Sequence, residues 1–66
     1  MKNNIKINRL IKGLSQEQLA NEVCVSRQTI NALEAAKYVP STVLALKLSR
    51  FFEKSIEELF ELEDSD

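Results

Sequence analysis

The sequence predicts an all-α domain of five short helices packed around one core. Three observations carry that expectation. Apolar residues recur at i, i+3, i+4 and i+7 rather than at every second position, four serines stand where such runs begin, and the single glycine and single proline fall between runs. At 66 residues the chain is read as one domain, residues 1–66, near the lower limit for folding on a single core. One cysteine excludes an intrachain disulfide, and one thiol without any histidine cannot supply a zinc shell. No cofactor or metal is expected, and helix packing with self-association is left to supply stability.

Each element follows in order. Ile7, Leu10, Ile11 and Leu14 form the stripe of a first helix, expected to face the core, and Gly13 closes it in the left-handed conformation. Ser15 caps a second helix, with Gln18 completing a capping box and Leu19, Ala20 and Val23 facing inward. Ser26 caps a third, whose inward residues are Ile30 and Leu33. Residues 35–41 form a loop, and Pro40 keeps Val39 out of helical geometry. Ser41 caps a fourth helix with Leu44, Ala45, Leu48, Phe51 and Phe52 inward. Ser55 and Glu58 box a short fifth helix carrying Ile56, Leu59 and Phe60. Asn3 to Ile5 and Phe60 to Leu62 are expected to pair as a short two-stranded ribbon.

The net charge of −1 conceals an asymmetry. Residues 1–50 carry +5, whereas residues 51–66 carry −6, most of it in the acidic segment 57–66. A basic body with an acidic end suits a protein that sets one face against phosphates. The longest apolar run is only a few residues and the first residues lead straight into an amphipathic segment, so neither a membrane span nor a signal peptide is expected, and the chain is read as cytoplasmic. Without histidine no nucleophile and base can be paired, so an enzyme is not expected, and no small-molecule ligand is evident. The lone Cys24 is expected as a small buried hydrophobe.

The informative spacing lies between the second and third helices. Only Cys24 and Val25 separate Val23 from the cap at Ser26, which makes residues 15–34 a helix-turn-helix, with the small Ala20 at the close approach. Arg27, Gln28 and Asn31 are left on the solvent side of the third helix. Arginine offers a bidentate fork to guanine, glutamine pairs bidentately with adenine, and Thr29 can meet a base edge or a thymine methyl. Readers at the N-terminal end of a short helix match a recognition helix docked in the major groove of double-stranded DNA. Ser15 and Gln16, opening the second helix, face a phosphate, and Lys37 and Tyr38 stand where they can hold the flanking backbone. Alone, such a polar triplet is more often an ordinary solvated face; the two-residue turn, the capped helices and the small Ala20 give it weight.

The stretch Leu14-Ser15-Gln16-Glu17-Gln18-Leu19-Ala20, then Val25-Ser26-Arg27-Gln28-Thr29-Ile30-Asn31, then Leu33-Glu34 and Lys37-Tyr38 before Pro40-Ser41 resembles the lambda-repressor/Cro-like helix-turn-helix regulators, the XRE family. The likeness runs over roughly residues 5 to 62 and is greatest to short, stand-alone members that act as homodimeric repressors. It implies Gln16 at a phosphate, Arg27, Gln28 and Thr29 as base readers or their supports, Asn31 as a further DNA contact, and an ion pair between Arg9 and Glu34. Two positions depart from the pattern. Cys24 stands where the turn usually has glycine, and Ala35-Ala36 replace Asn-Gly. Since alanine extends a helix readily, the third helix is expected to run a turn longer.

The function expected is a sequence-specific transcriptional regulator, a repressor that binds a palindromic operator as a homodimer through Ile56, Leu59, Phe60 and Leu62. The alternative is an antitoxin-like protein-interaction module on the same fold, its acidic end gripping a basic partner.

Overall fold

The computed structural model describes residues 1–66. Five helices and a two-stranded ribbon follow in the order β1 (Lys2–Asn3), α1 (Ile5–Ile11), α2 (Gln16–Glu22), α3 (Arg27–Glu34), α4 (Thr42–Phe52), α5 (Ile56–Leu59) and β2 (Phe60–Glu61). The all-α expectation holds, and the expected short ribbon forms as well. β1 and β2 are antiparallel, Lys2 opposite Glu61 and Asn3 opposite Phe60. The N-terminal strand lies earlier than residues 3–5, because Ile5 already begins α1, its N–H bonded to the Asn3 side-chain oxygen at 3.1 Å. No helix is long and apolar enough to cross a membrane.

The four expected serine caps form. Ser15, Ser26, Ser41 and Ser55 each sit in extended geometry and accept from the N–H three residues on. Capping boxes close at Ser15–Gln18 and Ser55–Glu58. The Ser55 N–H donates to the Glu58 carboxylate, and this bond first, then the Ser55 hydroxyl, holds the Glu58 pKa below its ordinary value.

A single core of twelve residues joins Ile5 of α1, Leu19, Ala20 and Val23 of the second helix, Ile30 and Leu33 of the third, Leu44, Ala45, Leu48 and Phe52 of the fourth, and Leu59 and Phe60. Phe51 is half-buried, edge-on to Phe52 with ring centroids 5.2 Å apart. The first helix departs from expectation. Its stripe of Ile7, Leu10 and Ile11 faces solvent, and Ile5, Asn8 and Arg9 face inward instead. The inverted orientation is tolerated because the buried polar groups are all satisfied. The Asn8 amide donates to the Asn4 carbonyl at 2.8 Å, and Arg9 finds three acceptors, described below.

The helix ends share one device. Gly13, Cys24, Ala36 and Glu53, just after α1 to α4, are all left-handed, with φ of 71°, 59°, 58° and 55°. Orphan carbonyls are taken up in the pattern that such a residue allows: Leu14 N–H to Arg9, Val25 to Ala20, Lys37 to Ala32 and Lys54 to Ser49, at 2.9–3.1 Å. Only one of the four is glycine. Cys24 is exposed rather than buried, since Val23 and Val25 on either side take the inward positions. Helix α3 does not run on through Ala35-Ala36. The Leu33 carbonyl accepts from both the Ala36 N–H at 3.0 Å and the Asn3 amide at 2.8 Å, so its two lone pairs are taken and Lys37 turns back to Ala32.

Candidate nucleic-acid interface

The local sequence makes α3 short and sharply entered. Cys24 reverses the chain after α2, and the Ser26 hydroxyl accepts the Thr29 N–H at 3.2 Å, so the helix starts at Arg27. Ile30 and Leu33 are fully buried, which fixes the rotation of the helix and sets Arg27, Gln28 and Asn31 outward, all exposed. Neither Arg27 nor Gln28 has an ion-pair or hydrogen-bond partner among the side chains of this molecule, so the fork and the amide are free to bond outside it. Thr29 is half-buried, its hydroxyl 3.0 Å from that of Ser26. That bond ties the Thr29 hydroxyl to the cap.

The far end of α3 is anchored from three sides. Arg9 of α1 donates Nε to Glu34 Oε2 at 2.7 Å and Nη2 to Oε1 at 3.2 Å, while Nη1 reaches the Leu14 carbonyl at 2.7 Å. The pair is nearly water-free, with side-chain exposures of 9% and 5%. Gln16 of α2 donates to Glu34 Oε1 at 3.1 Å and to Asn31 Oδ1 at 3.3 Å. Asn3 holds the Leu33 carbonyl. A continuous network, Arg9 to Glu34 to Gln16 to Asn31, thus ties the outward Asn31 to the buried ion pair.

Gln16 is therefore half-buried with both amide hydrogens in use. A phosphate contact from it requires release of the longer bond, to Asn31. Ser15, Lys37 and Tyr38 are exposed, Ser15 at the start of α2 and the other two in the loop after Ala36. The expected interface residues of the C-terminal part divide. Leu59 and Phe60 lie inside this chain's own core, 0% and 7% exposed, and cannot line a surface; Ile56 is half-buried and Leu62 exposed. Leu59 and Phe60 carry the apolar faces of a four-residue helix and a two-residue strand that have no other way to bury them. Asn3 is the anchor that sequence reasoning missed, and its signal was an asparagine two residues before a helix, whose side chain can accept from the backbone N–H two residues on.

A model of the helix-turn-helix family matches residues 5–59. The chain is 48% identical over 66 residues to an uncharacterized HTH-type transcriptional regulator of Methanocaldococcus jannaschii, with all of both chains covered. It is 46% identical, again over all of both chains, to the HTH-type transcriptional regulator YgzD of Bacillus subtilis. A regulator of the same description from Archaeoglobus fulgidus is 44% identical over all of this chain and 94% of its own length.

Proposed function

The chain belongs to the XRE-type helix-turn-helix family of DNA-binding transcriptional regulators, and from that premise we propose that it is a repressor that reads a palindromic operator as a homodimer in the cytoplasm. The observation that carries the reading is the asymmetry of α3. Its C-terminal end is held by Asn3, Arg9 and Gln16, while Arg27 and Gln28 project unpaired from the other end. A rigid helix with free bidentate groups at its entry is what direct readout of base edges needs. Arg27 and Gln28 read bases; Thr29 offers its methyl, and Asn31 follows one turn later. Ser15, Lys37, Tyr38 and Gln16, on exchange of its Asn31 bond, meet flanking phosphates.

Size supports a reading with two chains. The molecule measures 32 × 23 × 20 Å, and half-sites one helical turn apart lie about 34–36 Å centre to centre. One copy reaches one half-site. Leu62, exposed beside the ribbon, and half-buried Ile56 belong to the surface between copies, and the acidic segment 57–66 is kept away from phosphate. Selection of bound sequences from random duplex DNA tests the proposal. Two inverted half-sites with steep weakening in salt are expected; a sequence-independent or salt-insensitive product would overturn it.

A further inference from the structure

Gln16 at the start of α2 carries two amide hydrogens, and both are spent inside the chain. One goes to Glu34 Oε1 at 3.1 Å and the other to Asn31 Oδ1 at 3.3 Å. Chemistry forces the order of these atoms. Glu34 is the carboxylate of a nearly water-free pair with Arg9, so it only accepts. The Gln16 nitrogen must therefore face it, and Asn31 must turn its oxygen toward Gln16. The two bonds are unequal. The one to Glu34 is charge-assisted, shorter and half-buried, whereas the one to Asn31 is neutral, longer and exposed. A phosphate oxygen arriving from outside competes for the second hydrogen alone. Resting on the DNA reading above, we propose that the Gln16–Asn31 bond is a lock on base reading: a backbone phosphate that takes Gln16 releases Asn31, and Asn31 then reads adenine.

The base follows from what the release leaves open. Asn31 is exposed, three residues beyond Gln28 and four beyond Arg27, hence on the same face of α3. Its amide nitrogen has no partner in the chain, and its oxygen gives up the Gln16 hydrogen to the phosphate. A base that satisfies both atoms must offer an acceptor and a donor side by side. In the major groove adenine does so, with N7 beside the N6 amino group. Guanine presents two acceptors, thymine an acceptor and a methyl, and cytosine a donor alone. At an adenine the broken bond is thus replaced. On any other base the chain gives up one internal hydrogen bond for the phosphate contact and recovers only water.

Titration of the full chain with two probes tests this: the tightest duplex recovered by selection from random sequences, and random duplex itself. Asn31→Ala alters an exposed side chain, and an unchanged circular dichroism spectrum confirms its fold. It is expected to weaken binding to the selected duplex about tenfold. It is also expected to tighten binding to random duplex about threefold, because Gln16 is then free for phosphate from the outset. In a Gln16→Ala background the loss on the selected duplex is expected to be about threefold larger, and the gain on random duplex to vanish. A residue that only supports the helix would move both probes the same way. Weaker binding of both by Asn31→Ala, or equal effects in the two backgrounds, overturns the proposal while the DNA reading stands. Adenines of the selected duplex are also replaced singly by an analogue with carbon in place of N7. One position is expected to cost the wild type and not Asn31→Ala; if none does, the adenine assignment falls. The lock itself is read without DNA. The Asn31 side-chain amide signal in the NMR spectrum of the free chain is expected to shift on Gln16→Ala, and an unmoved signal overturns the lock. A wild type that binds neither duplex overturns the DNA reading, and the proposal with it, whatever that signal does.

Discussion

Arg9 and Glu34 meet as a forked pair, two hydrogen bonds of 2.7 and 3.2 Å between groups almost shut off from water. The pair joins the inner face of α1 to the last residue of α3. Removing one partner strands a buried charge, a loss of about 3–5 kcal/mol, against a total of roughly 3–10 kcal/mol for a chain this size. Arg9→Met or Glu34→Leu alone is expected to leave the chain largely unfolded at room temperature. The double variant, which removes both charges, is expected to recover much of the loss in urea melts. Equal destabilisation by the single and double variants would show that the fork has no coupled role.

Arg27→Ala and Gln28→Ala are expected to leave stability within about 0.5 kcal/mol, because both side chains are exposed and unpaired. Each is expected to cost about 1–3 kcal/mol of discrimination at one base position. Competition gel shifts against point-substituted operators read this directly. Lys37→Ala is expected to weaken all sequences alike and to lower the salt slope by about one.

Ala36→Gly and Cys24→Gly are expected to stabilise the chain by about 1 kcal/mol each, since a Cβ in the left-handed region is strained and glycine is not. Gly13→Ala is expected to destabilise by a similar amount. A Cβ built at Gly13 meets nothing within 4 Å, so that loss is conformational alone. Thermal melts of the three variants would refute the account if Ala36→Gly lowered the midpoint.

Asn3→Ala removes the amide on the Leu33 carbonyl and the oxygen on the Ile5 N–H at once. A loss of about 1–2 kcal/mol is expected, together with faster hydrogen exchange at the end of α3. Exchange confined to the ribbon would contradict an anchoring role.

Glu58 has a folded pKa below its unfolded one. Its capping box therefore contributes stability above the ordinary glutamate value of about 4.3, and that contribution fades as pH falls through the lowered folded value. Melts from about pH 3 to pH 7 are expected to show a shallower acid limb for Glu58→Gln than for the wild type.

Most of α2 and α3 was legible because its determinants are local. Ser15 with Gln18, Ser26 with Thr29, and small Ala20 before a two-residue turn each specify geometry within a few residues. The first helix was not. Its apolar count favours the Ile7, Leu10, Ile11 side, and the side that wins holds one isoleucine, an asparagine and an arginine. What decides between them are acceptors far along the chain, Glu34 for Arg9 and Leu33 for Asn3, which no window around α1 contains. The end of α3 was misjudged for the same reason. Alanine propensity favours another turn at Ala35-Ala36, but the Leu33 carbonyl is already claimed by residue 3.

The pairing of Asn3 with Phe60 and of Asn4 with Leu59 closes the chain almost end to end. Together with Arg9–Glu34 it makes the recognition helix depend on contacts of high sequence separation, which form late because the loop-closure entropy must be met first. A growing polypeptide holds Asn3, Arg9 and Gln16 before α3 is complete, but lacks the strand at residues 60–61 that fixes residues 2–3. Reading competence is then gained in one cooperative step, when residues 60–61 dock beside residues 2–3, and incomplete chains would have no settled helix to present to an operator.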